Sequence, residues 1–274
     1  MLGFGHRHAD RFDGVMRLAF RADGDGYEHH GAVEVRAVAE RVECRVVAGD
    51  PTTLRAQVAR VLSLDHDGVV FDEIGQRDPV IGRLQRRAPG LRPPLFHSPY
   101  EAAAWAVLSA RRPARQMADV RQRLSEEHGA VFELAGQPVA AFPAPSQVPG
   151  VESFADLSPV KIERLHAVAG AAQQGRLDAD HLQALGPDAA VAELLTLPGI
   201  GPLYAELVVV RATGFADVLT TTEPRVLAAV GELYGLGRPA TAPELVEIAE
   251  VWRPRRTWAA VLIRAAQHRP DPPG

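Results

Sequence analysis

Glu223 stands immediately before Pro224 in "TTTEPRV", a short way after the string "LPGIG", Leu197 to Gly201. Proline suits the first position of a helix, which makes Glu223 the residue at that helix's entrance. A lone carboxylate there has two uses. It can stabilise positive charge developing on a bound molecule, or orient a water towards it. It can also sit near the positive end of the helix dipole for stability alone, although Ser, Thr and Asp are better caps. The residues by themselves leave both uses open. The "LPGIG" string has a chemistry of its own. Pro198 ends one helix, and Gly199 and Gly201 free the backbone and let another backbone approach closely. The N–H groups of such a turn and of the next helix's first turn point to one spot, which is a phosphate site without a basic side chain. A plain helical turn of the same composition is the alternative.

Other residues narrow the chemistry by what they lack. Cys44 is the only cysteine, which removes an intrachain disulfide, a Cys-rich zinc site and a cysteine-ligated iron–sulfur cluster. His6, His8, His29 and His30 have no acidic or Cys partner at ligand spacing and read as solvated turn histidines. Lys161 is the only lysine among 30 basic residues. Arginine suits bidentate phosphate contacts, and genome base composition produces the same bias. The net charge of −4 argues against a protein that coats nucleic acid, but not against a grip at a few places. No stretch approaches a membrane span and the N-terminus lacks the apolar core of a signal peptide, so a cytoplasmic protein is expected.

Several elements must position these residues. "VMRLAF" and "GAVEVRAVAERVECRVVAG" alternate as strands around the Gly/Asp-rich turn "DGDGYEHHG". "DPTTLRAQVARVLSLD" carries a capping residue, a proline and helical spacing. The Pro-rich "RRAPGLRPPLFHSP" marks a boundary near residue 95, and the chain reads as helical from there on. Ser98 caps "PYEAAAWAVLS", and Pro113 breaks or kinks the helical run at that point. "FPAPSQVPG" is a connector, and the later segments repeat the grammar of polar start and glycine end. The expectation is an α+β chain, mostly α-helical. Residues 1–95 form a small mixed domain with an antiparallel sheet, and residues 96–274 form the helical domain.

"LPGIGPLYAELVVVR" resembles the hairpin of the helix-hairpin-helix DNA glycosylase superfamily, and among its branches the 3-methyladenine DNA glycosylase II type. "DPVIGRLQRRAPGLRPP", "SPYEAAAWAVLSA", "FADVLTTTEPRV" and "AEVWRPRRTWAAVLI" resemble segments of that type in the same order. Coverage runs over about residues 75–265, and the N-terminal strands match by shape alone.

The resemblance implies two helical layers flanking a base pocket, duplex DNA with damaged bases as partner, and base excision repair as the setting, near the nucleoid. A monomer is expected. It implies that Leu197, Pro198, Gly199, Ile200 and Gly201 hold the DNA backbone. It also implies a monovalent cation, Na+ or K+, on the carbonyls of Leu195, Leu197 and Gly199, and no other cofactor. The essential acid of the family is an aspartate, and Glu223 takes its place here. Arg111, with Arg112 beside it, falls where the family inserts a wedge into the duplex. The base-pocket positions fall at Leu203, Leu207 and Arg264, with Trp105, Tyr204 and Trp258 nearby. The family lines that pocket with aromatic rings, so the base recognised here differs or is held differently. Relatives with lyase activity carry a lysine where this chain has Leu203, and Lys161 is far away in sequence. The implied activity is therefore monofunctional excision of alkylated, N-alkylpurine-type bases. A catalytically inactive damage-binding protein on the same scaffold is the alternative.

Overall fold

The computed structural model describes residues 12–39 and 41–266. His6 and His8 lie outside the described residues. The N-terminal strands β1 (Met16–Arg21), β2 (His30–Val38) and β3 (Arg41–Ala48) form an antiparallel sheet in that order. Along β3 exposed and half-buried residues alternate, the period of two that a one-sided sheet requires. The other face buries Leu18, Phe20, Val33 and Val35 against Leu54 and Val58 of helix α1 (Pro51–Val61). Asp50 caps α1 by accepting the Thr53 N–H at 2.8 Å.

Short helices α2 (Val69–Asp72), α3 (Ile74–Arg77) and α4 (Pro79–Arg87) follow. Asp78 caps α4 through the N–H groups of Val80 and Ile81. Next come α5 (Pro99–Ser109), α6 (Ala114–His128), α7 (Pro159–Gln173), α8 (Ala179–Leu185), α9 (Pro187–Leu195), α10 (Pro202–Ala212), α11 (Pro224–Leu233), α12 (Ala242–Ala249) and α13 (Arg256–Ala266). Ser98 accepts the Glu101 N–H at 3.1 Å and starts α5 as the sequence indicates. The small side chains of α5 are buried almost throughout, and the helix packs against both α7 and α10. Among the described residues no helix is long and apolar enough to cross a membrane.

Two helical cores result. One gathers α5 and α7 to α10 around residues such as Leu108, Val168, Leu194 and Val209. The other gathers α4 and α11 to α13 around Ile81, Val230, Trp252 and Ile263, with Phe71 and Ile74 from α2 and α3. The second core draws on both sides of the expected division at residue 95. The sequence before that point supplies α2, α3 and α4 to the second core, where α4 packs against α13.

A correction concerns the stretch after α6. It is not helical: β4 (Ala130–Leu134) and β5 (Gln137–Ala141) form a hairpin. Its two-residue turn has positive φ at both Ala135 and Gly136, the geometry that matches strand twist. An alanine where Asn or Gly is usual hides this turn from the sequence. β5 lies beside β1, and Arg17 of β1 donates to the carbonyls of Leu134 at 2.9 Å and Ala135 at 3.0 Å.

Candidate active site

Helices α9 and α10 are joined by the turn at Leu197–Gly201, where Leu197 and Ile200 are both buried in the first core. Those two side chains anchor the turn from beneath, while Pro198 and Gly199 stay exposed. The Ile200 N–H donates to the Leu197 carbonyl at 3.1 Å, closing the turn. Gly199 has φ 87, a conformation that favours glycine. The Arg164 side chain of α7 lies across it, and an added Cβ would come within 2.5 Å of the Arg164 Cδ. Gly201 is different: its φ is −95, and an added Cβ would meet nothing within 4 Å. No side chain caps α10, so the N–H groups of its first turn are open to an anion.

Glu223 is the N-cap residue of α11 by backbone geometry, but its side chain makes no capping bond. Its Oε1 instead forms an ion pair with the Arg264 guanidinium of α13 at 2.9 Å. The two line a cleft between the helical cores with Leu207, Arg211, Thr220 and Thr257. The cleft leaves about 20 Å³ of open volume, room for about one water. Its face on α13 comprises Thr257, Ala260, Val261 and Arg264, the spacing of one helical stripe. The wall is incompletely satisfied. Arg211 Nε and Thr220 Oγ1 are buried without a hydrogen-bond partner. Burial pulls the Arg211 guanidinium down to about 10, and the Arg264 charge adds to that while Glu223 opposes it. The Arg211 terminal nitrogen donates to the Pro94 carbonyl at 2.7 Å, tying α10 to the segment that precedes α5.

Of the expected pocket residues, Glu223, Leu207 and Arg264 come together. Leu203 is half-buried at the start of α10 and Tyr204 packs on the first core, and neither lines this cleft. Trp105 likewise packs on the first core. Trp258 is 2 % exposed, belongs to the second core and does not line this cleft. Its ring lies 5.4 Å from Phe71, with the guanidinium groups of Arg92 and Arg255 over it. It shares α13 with Arg264 but lies off the stripe that faces the cleft.

Arg111 and Arg112 are exposed in the turn after α5, and Arg111 has φ 55. Lys161 of α7 donates to the carbonyls of Leu108 and of Ala110, the latter at 3.1 Å. The single lysine is thus a clamp on the end of α5. Among the backbone carbonyls expected for a cation, that of Leu197 already accepts one hydrogen bond. Those of Leu195 and Gly199 accept none among the described residues. Three such oxygens on one turn suit a hard monovalent cation in donor type. Among the described residues no cluster of His, Cys, Asp and Glu could hold a metal ion. Burial lowers His30 to about 4, and His29 is solvated in the turn before β2.

Reasoning from sequence missed Arg211 and Thr220. The signal for Arg211 was present: a lone arginine at the end of the apolar run "LVVVR".

An exposed turn anchored by two buried side chains, a carboxylate that caps nothing and a cleft between two helical cores make up the candidate site. The fold is that of the helix-hairpin-helix DNA glycosylases, and curated DNA repair glycosylases are similar to the chain in sequence. No family model matches the chain. It is 24 % identical over 205 residues to a DNA-3-methyladenine glycosylase of Bacillus subtilis, covering 73 % of this chain and 67 % of that protein. It is 27 % identical over 254 residues to a probable bifunctional transcriptional activator/DNA repair enzyme AlkA of Mycobacterium tuberculosis. That match covers 90 % of this chain and 49 % of the mycobacterial protein, so the chain spans about half its length. The solved 3-methyladenine DNA glycosylase of Archaeoglobus fulgidus superposes with a TM-score of 0.78 at 22 % identity, over 94 % of this chain and 88 % of that one.

Proposed function

We propose that this protein is a monofunctional DNA glycosylase that excises alkylated, N-alkylpurine-type bases from duplex DNA. The observation that carries the proposal is Glu223: a carboxylate at a helix entrance that caps nothing and lines the cleft between the cores. Breaking an N-glycosidic bond develops positive charge on the deoxyribose. Glu223 is the group that stabilises that charge or holds the attacking water, and an alkylated base leaves without a strong acid. The base reaches the cleft by flipping from the stack. The hairpin grips the backbone with its open N–H groups, and Arg111 fills the vacated position. A Na+ or K+ ion on the turn carbonyls would add positive charge beside the phosphate. Lys161 is occupied by the end of α5 and Leu203 bears no amine, so no Schiff base forms.

As it stands the cleft is too small for a base, and the Glu223–Arg264 pair must part when one enters. The same closure supports the alternative, a protein that binds damaged DNA without cutting it. Single-turnover base release from a methylated duplex separates the two. Base release by the wild type that disappears in Glu223→Gln, with abasic-duplex affinity kept, supports the glycosylase. Binding without release by the wild type supports the alternative. Arg111→Ala should weaken binding to an abasic-site duplex more than to plain duplex. Equal losses would make it an ordinary phosphate contact.

A further inference from the structure

Helix α7 touches both parts of the proposed DNA-binding surface through one face. Lys161 holds the end of α5, from which Arg111 and Arg112 project. Arg164, three residues on and therefore on the same side of the helix, lies across Gly199 of the hairpin. No hydrogen bond or ion pair holds the Arg164 guanidinium among the described residues. The surroundings are positive. Burial lowers the Lys161 ammonium, and the charges of Arg112 and Arg164 lower it further. A hairpin turn offers N–H groups without charge, and three neighbouring cations without an acidic partner repel one another until an anion arrives.

We propose that Arg164 is a phosphate ligand: one DNA phosphodiester at the hairpin is held by the backbone N–H groups of α10's first turn and by this guanidinium. The site extends the hairpin grip proposed above and rests on that reading. The glycine at position 199 then has two functions. It takes the left-handed conformation, and it leaves the space through which the Arg164 stem passes over the turn. A side chain at 199 displaces the guanidinium from the phosphate. Lys161 is a positioning residue in the same device, since it fixes the α5 turn against the helix that carries Arg164.

The test is duplex affinity of the full chain by fluorescence anisotropy at several salt concentrations, on plain and abasic-site duplexes. Arg164→Met should weaken both by a similar factor, about tenfold. It should flatten the slope of log affinity against log salt by about 0.9, the signature of one lost phosphate contact. Arg164→Lys, which keeps the charge, should retain the wild-type slope even if affinity falls, and it serves if Arg164→Met melts early. Gly199→Ala should reproduce the loss, and Arg164→Met added to it should change little more, because the alanine has already moved the guanidinium. Unchanged affinity and slope in a folded Arg164→Met protein overturn the proposal while leaving the hairpin intact. Additive losses in the double variant overturn the link to Gly199. A wild type that binds no duplex ends the DNA reading as well, which separates the two failures.

Discussion

Two buried glutamates, each at the start of a helix, are treated in opposite ways. Glu101 in the first turn of α5 is fully buried, and its carboxylate is fully engaged. It accepts from Arg121 at 2.5 Å and from the Arg21 N–H at 3.0 Å, with His97 at 3.4 Å. Among the described residues, Glu223 at the entrance of α11 has a single ion pair, and the unpartnered Arg211 Nε and Thr220 Oγ1 lie in the wall around it. A carboxylate that joins sheet, helix and loop by satisfied bonds is there for the fold. One whose neighbours stay unsatisfied costs stability, and the proposed function gives that cost a use.

The contrast can be broken most sharply at Glu223. Glu223→Gln should lower single-turnover base release on the order of 10²-fold to 10³-fold, the usual loss for one electrostatic stabiliser. Its melting temperature should stay close to wild type. A large stability loss with unchanged chemistry would make Glu223 structural after all. Glu101→Gln should do the reverse. Breaking a buried ion pair costs about 3–5 kcal/mol, read by denaturant unfolding, while base release per folded molecule stays the same.

The pH dependence of stability sharpens the same contrast. Burial alone would raise Glu101, but His97, Arg121 and the Arg21 N–H outweigh it and hold it down to about 2, from an ordinary value of 4.5. A carboxylate depressed by folding stabilises the protein above its unfolded value, and that stability is lost as pH falls towards the folded one. Unfolding free energy should therefore fall by about 3 kcal/mol between roughly pH 5 and pH 2 on account of this group. Glu101→Gln should lose that part of the slope, as measured by urea melts across the range. An unchanged acid slope would mean that other carboxylates carry it.

Borohydride trapping tests the chemistry at a smaller scale. No covalent protein–DNA adduct should form, because Lys161 is bound to the end of α5 and Leu203 occupies the hairpin position. An adduct that vanishes in Lys161→Met would overturn the monofunctional assignment. The smallest effect on stability is expected at Gly201. Open space surrounds it, so Gly201→Leu should shift stability by about 0.5 kcal/mol or less while weakening all duplexes alike. Unchanged DNA affinity in that variant would remove the hairpin from the interface.

The sequence determined much of this by itself. Pro198 and the two glycines mark the hairpin, Ser98 and Asp50 mark helix starts, and Pro224 marks Glu223 as the residue at a helix mouth, because caps and breakers act locally. The β4–β5 hairpin was not legible, since an alanine adopts positive φ at its turn and the strands are short. Nor was the membership of α2 to α4 in the second core, which depends on which distant helix their apolar faces meet. The site divides along the same line. Pro224 pointed to Glu223 and the family resemblance to Leu207 and Arg264, but only the tertiary structure decided that Glu223 pairs with Arg264 instead of capping α11. It alone turned Trp258 into the core and laid Arg164 over Gly199. Local signals fix where a chain turns, whereas the partners of a side chain on a helix depend on elements far away in sequence, and packing chooses among them.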